Sequence, residues 1–323
     1  MNGRSPGRLT RPLTALLVGA SVVATGSPPV TLAQTAPQNR AAVKMLTLNP
    51  LDVLYVFLGG GGNSLALVRT DEIVMVDAKL PGFGRAVLET VQAVSDRPIT
   101  RMILTQADAD HTGGMAEFPN LTEIIAHENT AAIMQKMPAV AGAARKLLPT
   151  RTLKDRLSLF DGPDRMELYY FGAGHTNGDL VVVWPTKRVA YLGDLFPAKA
   201  APGIDAANGG SGVAFPQTLA RLVSELKGIV RVITGHEQGL GTERSSNATS
   251  VDISTPQTLL WNDLLEYADF NRDFLSAVQA SIKAGQTAAD AAATLKLPDR
   301  YRNYDMRQAK ANVEAIYKEL AGR

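Results

Sequence analysis

Cysteine is absent from the 323 residues, which excludes disulfide staples, thiolate metal ligands and a lipid carried on an N-terminal cysteine. No apolar run reaches the length of a membrane span, since the uncharged segment 13–26 is short and Pro28 and Pro29 follow it. No internal repeat or long low-complexity tract stands out. There is also no twin-arginine pair near the start. Arg4, Arg8 and Arg11 precede the uncharged segment, and Thr31, Leu32 and Ala33 give it a small-residue end. Residues 1–33 therefore read as a secretory signal, cleaved near Ala33. The mature chain is expected to be exported in the unfolded state, to the periplasm or beyond, with any metal acquired afterwards and no stable membrane anchor. An excess of positive charge is missing as well. The signal segment takes three of the 33 basic residues and none of the 31 acidic ones, leaving a mature chain near −1. Net charge thus gives a nucleic-acid partner no support.

Apolar content is ordinary at 45%, enough for a sizeable core. Residues 34–50 read as a polar linker. Strand-like runs follow at 53–58, 64–69, 72–76, 99–104 and 122–126, then at 166–171, 180–184, 188–192 and 229–234. Helical patterns at 83–94 and 215–226 fall between them. Strands in consecutive groups with interspersed helices predict an α/β domain over 51–250, with a mixed sheet or two sheets. Beyond it the character changes. Ser254 or Thr255 can cap a helix with Pro256 in its first turn. Tyr267, Phe270, Phe274, Val278 and Ile282 then recur at three- and four-residue steps. Thr287 with Asp290 marks another helix start, and Val313, Ile316, Tyr317 and Leu320 a last amphipathic helix. Residues 251–323 are expected to be a helical C-terminal extension that packs on the domain or on another subunit, the latter a route to a homo-oligomer.

Histidine is scarce too, occurring four times: His111, His127, His175 and His236. Three sit where an apolar run ends beside small residues, in ADADHTGG, FGAGHTNGD and VITGHEQG. A fourth such place carries an acid, Asp194 in VAYLGDLF. Imidazoles and carboxylates at strand ends can converge from distant sequence on one point, as a metal requires. The first stretch, TQADADHTGG, crowds Asp108, Asp110 and His111 into four positions.

These residues resemble the metallo-β-lactamase superfamily, whose first motif HxHxDH follows a strand and is succeeded by a lone His, a bridging acid and a last His. The order here is Gln106-Ala107-Asp108-Ala109-Asp110-His111, then His175, Asp194 and His236, and VMVDAK with Asp77 resembles the family's strand-end Asp. The resemblance covers about 52–241, and NVEAIYKEL in the tail is similar to the helical endings of exported hydrolase-like members. It implies an αββα sandwich with metals at one edge, and a hydrolase acting on a small-molecule ester, thioester, lactone or amide. By the same resemblance one metal site is intact, with Asp110, His111 and His236 as ligands and Asp194 bridging. The other comprises Gln106, Asp108 and His175. Both of its replacements retain an oxygen donor, which favours retuning over loss but gives a harder site, weaker for Zn²⁺. Either one firm zinc is kept, or a mixed pair in which Mn or Fe is an alternative. A bound divalent ion would bring its water to a pKa of roughly 7. Asp110 is assigned two roles, ligand and orienter of that water. Without both first-motif imidazoles, true β-lactamase activity is disfavoured.

Asp77 and Asp179 could accept hydrogen bonds from ligating imidazoles, or be ordinary turn acids. His127 reads as a structural histidine. Gly59, Gly60, Gly61 and Gly62 read as a turn beside Asn63, since a strand and not a helix follows. SELK at 224–227 is a chance match to a serine-nucleophile pattern. The stretch 203–213 is a loop near the mouth of the site. Two other functions stay open: a non-catalytic binding protein of the same fold, and a redox member with a flavin partner or a di-iron centre.

Overall fold

The run Ile73–Val76 shows how this chain makes strands. IVMV has no polar residue, yet parity divides it: Val74 and Val76 enter one core, Ile73 and Met75 another. Burial on both faces demands that composition. The computed structural model describes residues 43–48, 53–237 and 258–322. The expected signal segment, most of the linker and the expected helix start at Ser254 or Thr255 lie outside the described residues.

The first sheet runs, neighbour by neighbour, β1 (Lys44–Thr47), β2 (Leu54–Leu58), β3 (Ser64–Val68), β4 (Ile73–Val76), β5 (Ile99–Ile103), β6 (Glu123–His127) and β7 (Arg151–Leu153). Pairing is antiparallel from β1 to β4 and parallel from β4 to β7. The second sheet holds β8 (Arg156–Leu159), β9 (Met166–Tyr170), β10 (Leu180–Trp184), β11 (Val189–Tyr191), β12 (Arg231–Ile233) and β13 (Leu259–Leu260) in order. Only β11 and β12 are parallel there. The linker expected over 34–50 is corrected at its end. Lys44–Thr47 pairs with β2 because Val43, Leu46 and Leu48 are buried and need a sheet edge to lie on.

Helices cover both outer faces. Ala86, Val87 and Val91 of α1 (Gly84–Val91) close over Met75 and Met102, with α2 (Ala109–Thr112) and α3 (Glu128–Met134) on the same side. On the second sheet, Val181 and Val183 of β10 lie beneath Phe215, Leu219 and Leu222 of α4 (Phe215–Glu225). Leu180, Val182 and Trp184, the alternate residues of β10, meet Leu65, Leu67 and Val74 between the sheets. The result is an αββα sandwich. Its last layer includes α5 (Trp261–Lys283), α6 (Ala288–Thr294) and α7 (Ala309–Ala321). Leu264, Tyr267, Phe270, Phe274 and Val278 of α5 share one core with Val313 and Ile316 of α7 and the second sheet. The tail therefore packs on the domain. No helix among the described residues is long and apolar enough to cross a membrane.

Candidate metal centre

Parallel strands end on the same edge, and there the chain turns sharply. Asp77 follows β4, the stretch 105–111 follows β5, Asp194 follows β11, and Thr234 to His236 follow β12. His175 lies in the connection between β9 and β10. Asp108 caps α2 from an extended backbone and Asp110 and His111 occupy its single turn. Gly235 is needed where it stands, since a Cβ there would come within 2.0 Å of Asp194 Oδ1.

The ligand atoms of Asp110, His111 and His236 lie within 4.8 Å of one another, as do those of Asp108, His175 and Asp194. Four ligands at zinc bond lengths around a tetrahedron stand about 3.3 Å apart. His236 Nε2 lies 3.4 Å from Asp110 Oδ2 and 3.3 Å from Asp194 Oδ1, and His111 Nε2 lies 3.4 Å from Asp194 Oδ2 and 3.9 Å from Asp110 Oδ2. His111 is fully buried, and its Nε2 has no hydrogen-bond partner among the described residues. A buried nitrogen left so, ringed by carboxylates at these spacings, fits a divalent cation.

The second group is arranged otherwise. His175 Nε2 makes a 3.0 Å hydrogen bond with Asp108 Oδ2 and stands 3.6 Å from Asp194 Oδ2. Gln106 Nε2 donates to Asp194 Oδ2 at 2.5 Å, while its buried Oε1 has no partner. Three donors here are oxygens: those of Asp108 and Asp194 are already hydrogen-bonded to His175 and Gln106, while the Gln106 oxygen stays open.

Asp77 anchors the centre from behind. Its carboxylate meets His111 Nδ1 at 2.8 Å and accepts from Thr105 N at 2.8 Å, Thr105 Oγ1 at 2.7 Å and the Tyr191 hydroxyl at 2.9 Å. It sits at φ 60, a left-handed backbone uncommon outside glycine. Asp179 has the other role: it accepts from Thr176 N and Oγ1 at 2.8 and 2.6 Å and closes the turn. His175 Nδ1 turns instead to the Gly203 carbonyl, 3.1 Å away, so the 203–213 loop orients it.

Charge follows from this crowding. Burial opposes ionisation of Asp194, but His111, His236 and His175 outweigh it and hold its pKa well below the usual range. Burial likewise opposes protonation of the rings. Asp194 and Asp77 nonetheless hold His111 well above its ordinary value, and chiefly Asp108 and Asp194 raise His175 to about 10. Protons and a cation compete for these nitrogens.

The comparisons with known proteins agree with the geometry. The sequence pattern of the metallo-beta-lactamase superfamily matches residues 58–236. The chain belongs to the metallo-beta-lactamase superfamily. A solved metallo-beta-lactamase from Pontibacter korlensis shares 17% identity and a TM-score of 0.52, over 60% of this chain and 91% of that one. TMB-1 shares 16% and 0.55, over 72% and 97%. Such identities speak for the fold alone. No curated protein matches.

In this superfamily member the structure brings Gln106, Asp108, Asp110, His111, His175, Asp194 and His236 together. His127 stays apart, stacked on Tyr170 with centroids 3.9 Å apart and its Nε2 on the Lys154 carbonyl. Lys79 escaped the sequence reading. It is fully buried at φ 69, and its Nζ donates to the Phe57 and Gly62 carbonyls at 2.5 and 2.6 Å. Burial brings its pKa down to about 7, against the pull of Asp77, Glu237 and Asp110. A lysine just after a strand-end acid was the available signal. Also missed was the tail's share of the cleft of about 430 Å³, where Asp305, Arg307 and Gln308 join His175, Asp194 and His236.

Proposed function

We propose that this superfamily member is an exported metal-dependent hydrolase of an ester, thioester, lactone or amide. The observation that carries the reading is the buried, unpartnered Nε2 of His111 among Asp110, Asp194 and His236 at 3.3 to 3.9 Å separations. Those four residues would hold a divalent cation, which when bound would supply a water that ionises near pH 7 and a Lewis acid for a substrate carbonyl. Asp110, partly exposed, would both help hold the ion and orient that water. Asp77 fixes the His111 ring so that Nε2 points inward. Two imidazoles among the donors favour zinc. The hydrogen bonds from Gln106 to Asp194 and between His175 and Asp108 support one firm ion, with a harder ion such as Mn or Fe for the other group. A cleft of about 430 Å³ suits a small molecule. The missing first-motif imidazoles argue against β-lactams as the main substrates.

Elemental analysis of the mature protein alongside an acyl-substrate panel tests this. The expected result is at least one equivalent of zinc and hydrolysis of one acyl class, abolished in Asp110→Ala with the fold retained. A protein that stays free of divalent ions after purification in metal-rich medium is instead a non-catalytic binder. Export is tested by N-terminal sequencing of secreted protein, with a start near Gln34 expected.

A further inference from the structure

The C-terminal tail supplies part of the cleft wall, and its cation there keeps donors free. Asp305 is fixed to the loop after Asp194: its N–H donates to the Lys199 carbonyl at 2.9 Å, and its carbonyl accepts from Ala201 N at 2.8 Å. Its carboxylate is then consumed by Arg307. Oδ1 accepts from Arg307 N at 3.0 Å, and Oδ2 accepts from Nε at 2.7 Å and pairs with Nη2. A guanidinium has five N–H donors. Asp305 engages two of Arg307's, leaving three on a side chain that is 76% exposed. Among the described residues no other Lys or Arg lines the cleft, and Gln308 beside it adds an amide. The acid is engaged by Arg307 and held in place; the base is oriented by it and still has donors to give.

We infer that Arg307 is a specificity residue that binds a carboxylate of the substrate while the acyl group undergoing hydrolysis lies at the metal ligands. The substrate class is then an ester, thioester, lactone or amide that also bears a carboxylate. A guanidinium edge left free by an intramolecular partner is pre-organised for a planar carboxylate, which it meets through paired N–H bonds. This inference rests on the hydrolase reading for the reaction, but not for the anion site.

Two arms separate the two ideas. In the first, glutarate and its neutral diamide are titrated by calorimetry into the zinc-loaded mature protein, Arg307→Ala, Arg307→Lys, and Arg307→Ala combined with Asp305→Asn. Any contribution of the metal to glutarate binding is common to all. Glutarate is expected to bind about tenfold more weakly to Arg307→Ala, with Arg307→Lys between and the diamide unaffected. The double variant must show the same loss, which rules out repulsion by the freed Asp305 as its source. In the second arm, turnover of monomethyl glutarate is compared with dimethyl glutarate. Arg307→Ala should raise KM for the anionic ester, hold kcat, and leave the neutral one unchanged. Glutarate affinity that is equal across the variants, or absent from the parent protein, overturns the inference. Weaker glutarate binding in Arg307→Ala with neither ester hydrolysed leaves the anion site standing and counts against the hydrolase reading.

Discussion

A single methyl group at Gly62 tests the geometry of the centre. Alanine there meets no left-handed backbone, so its effect is one of space alone. The added Cβ would stand 2.4 Å from His111 Nε2, 2.5 Å from Cε1 and 2.9 Å from Cδ2, where ordinary contact begins at 3.4 Å. One partner must retreat by about 1 Å, the difference between those distances. His111 has nowhere to go, being fully buried with Nδ1 tied to Asp77 at 2.8 Å. Gly62 is tied as well, its N–H to the Asp110 carbonyl at 3.1 Å and its carbonyl to Lys79 Nζ at 2.6 Å. Overpacking of this kind costs about 1–3 kcal/mol of stability. A ligating nitrogen pushed off its position should lose metal affinity by roughly 10- to 100-fold, the loss typical when a ligand's support is removed. Thermal melting and competition for zinc against a chromogenic chelator read the two effects. Gly62→Ala with unaltered melting and zinc affinity would refute the placement of His111 Nε2 as a ligand beneath this turn.

Four further outcomes are expected. Asp77→Asn removes an acceptor from His111 and its neighbours, and chelator competition should show zinc held about 10- to 100-fold more weakly; unchanged affinity would disconnect Asp77 from the centre. In the ion-free protein, the contribution of His175 to stability is full below its ordinary 6.5 and is lost as pH rises through about 10, whereas that of Asp194 is full above 3.8 and is lost as pH falls through its lowered value. Rings held this high keep their protons at both pH 6 and pH 8.5, but protons compete less as pH rises, so the melting shift produced by zinc should be larger near pH 8.5, and a pH-independent shift counts against the ligand set. Phe270→Ala, in a fully buried ring stacked 4.4 Å from Tyr304, should cost about 3–5 kcal/mol in urea unfolding; a loss under about 1 kcal/mol would mean that the tail is dispensable to the fold. Gln106→His with Asp108→His should raise zinc stoichiometry by elemental analysis, and an unchanged value would mean that more than donor type separates the two groups.

Most of the sandwich was legible because its strands are apolar runs punctuated by small residues. The runs at 99–104 and 180–184 became β5 and β10 almost residue for residue. β1 was hidden because Lys44 and Thr47 interrupt the alternation that buries Leu46. β7 and β8 were hidden for a related reason: sequences such as RTL carry too few apolar residues to announce an edge strand. The residues of the centre were legible at the same punctuation points, since a strand end beside glycine is where a side chain can face a cleft. Lys79 and Tyr191 were not: a lysine reads as surface and a tyrosine in an apolar run reads as core until their buried partners are known. Arg307 was beyond reach altogether. What brings it to the cleft is the backbone bridge between Ala200 and Asp305, a pairing across more than a hundred residues that no local pattern encodes.

The two halves of the centre differ in more than donor type. Around His111 and His236 the ligand atoms stand apart at 3.3 to 3.9 Å, so an arriving ion displaces no protein hydrogen bond between them. Around His175 an ion must first separate the 3.0 Å bond to Asp108, while the 2.5 Å bond from Gln106 engages the Asp194 carboxylate that both groups share. A hydrogen bond to a charged group contributes about 1.5–3 kcal/mol, so the bond between His175 and Asp108 opposes binding on that side by about this much. At 1.4 kcal/mol per factor of ten, the affinities should differ by roughly one to two powers of ten before donor hardness is considered. Asp194 sits in both groups. An ion held at the first-filled site draws on the carboxylate that Gln106 already engages, so filling one site changes the terms for the other. Loading should therefore proceed in order, His236 side first, with the side of His175 responding to metal only at much higher concentration.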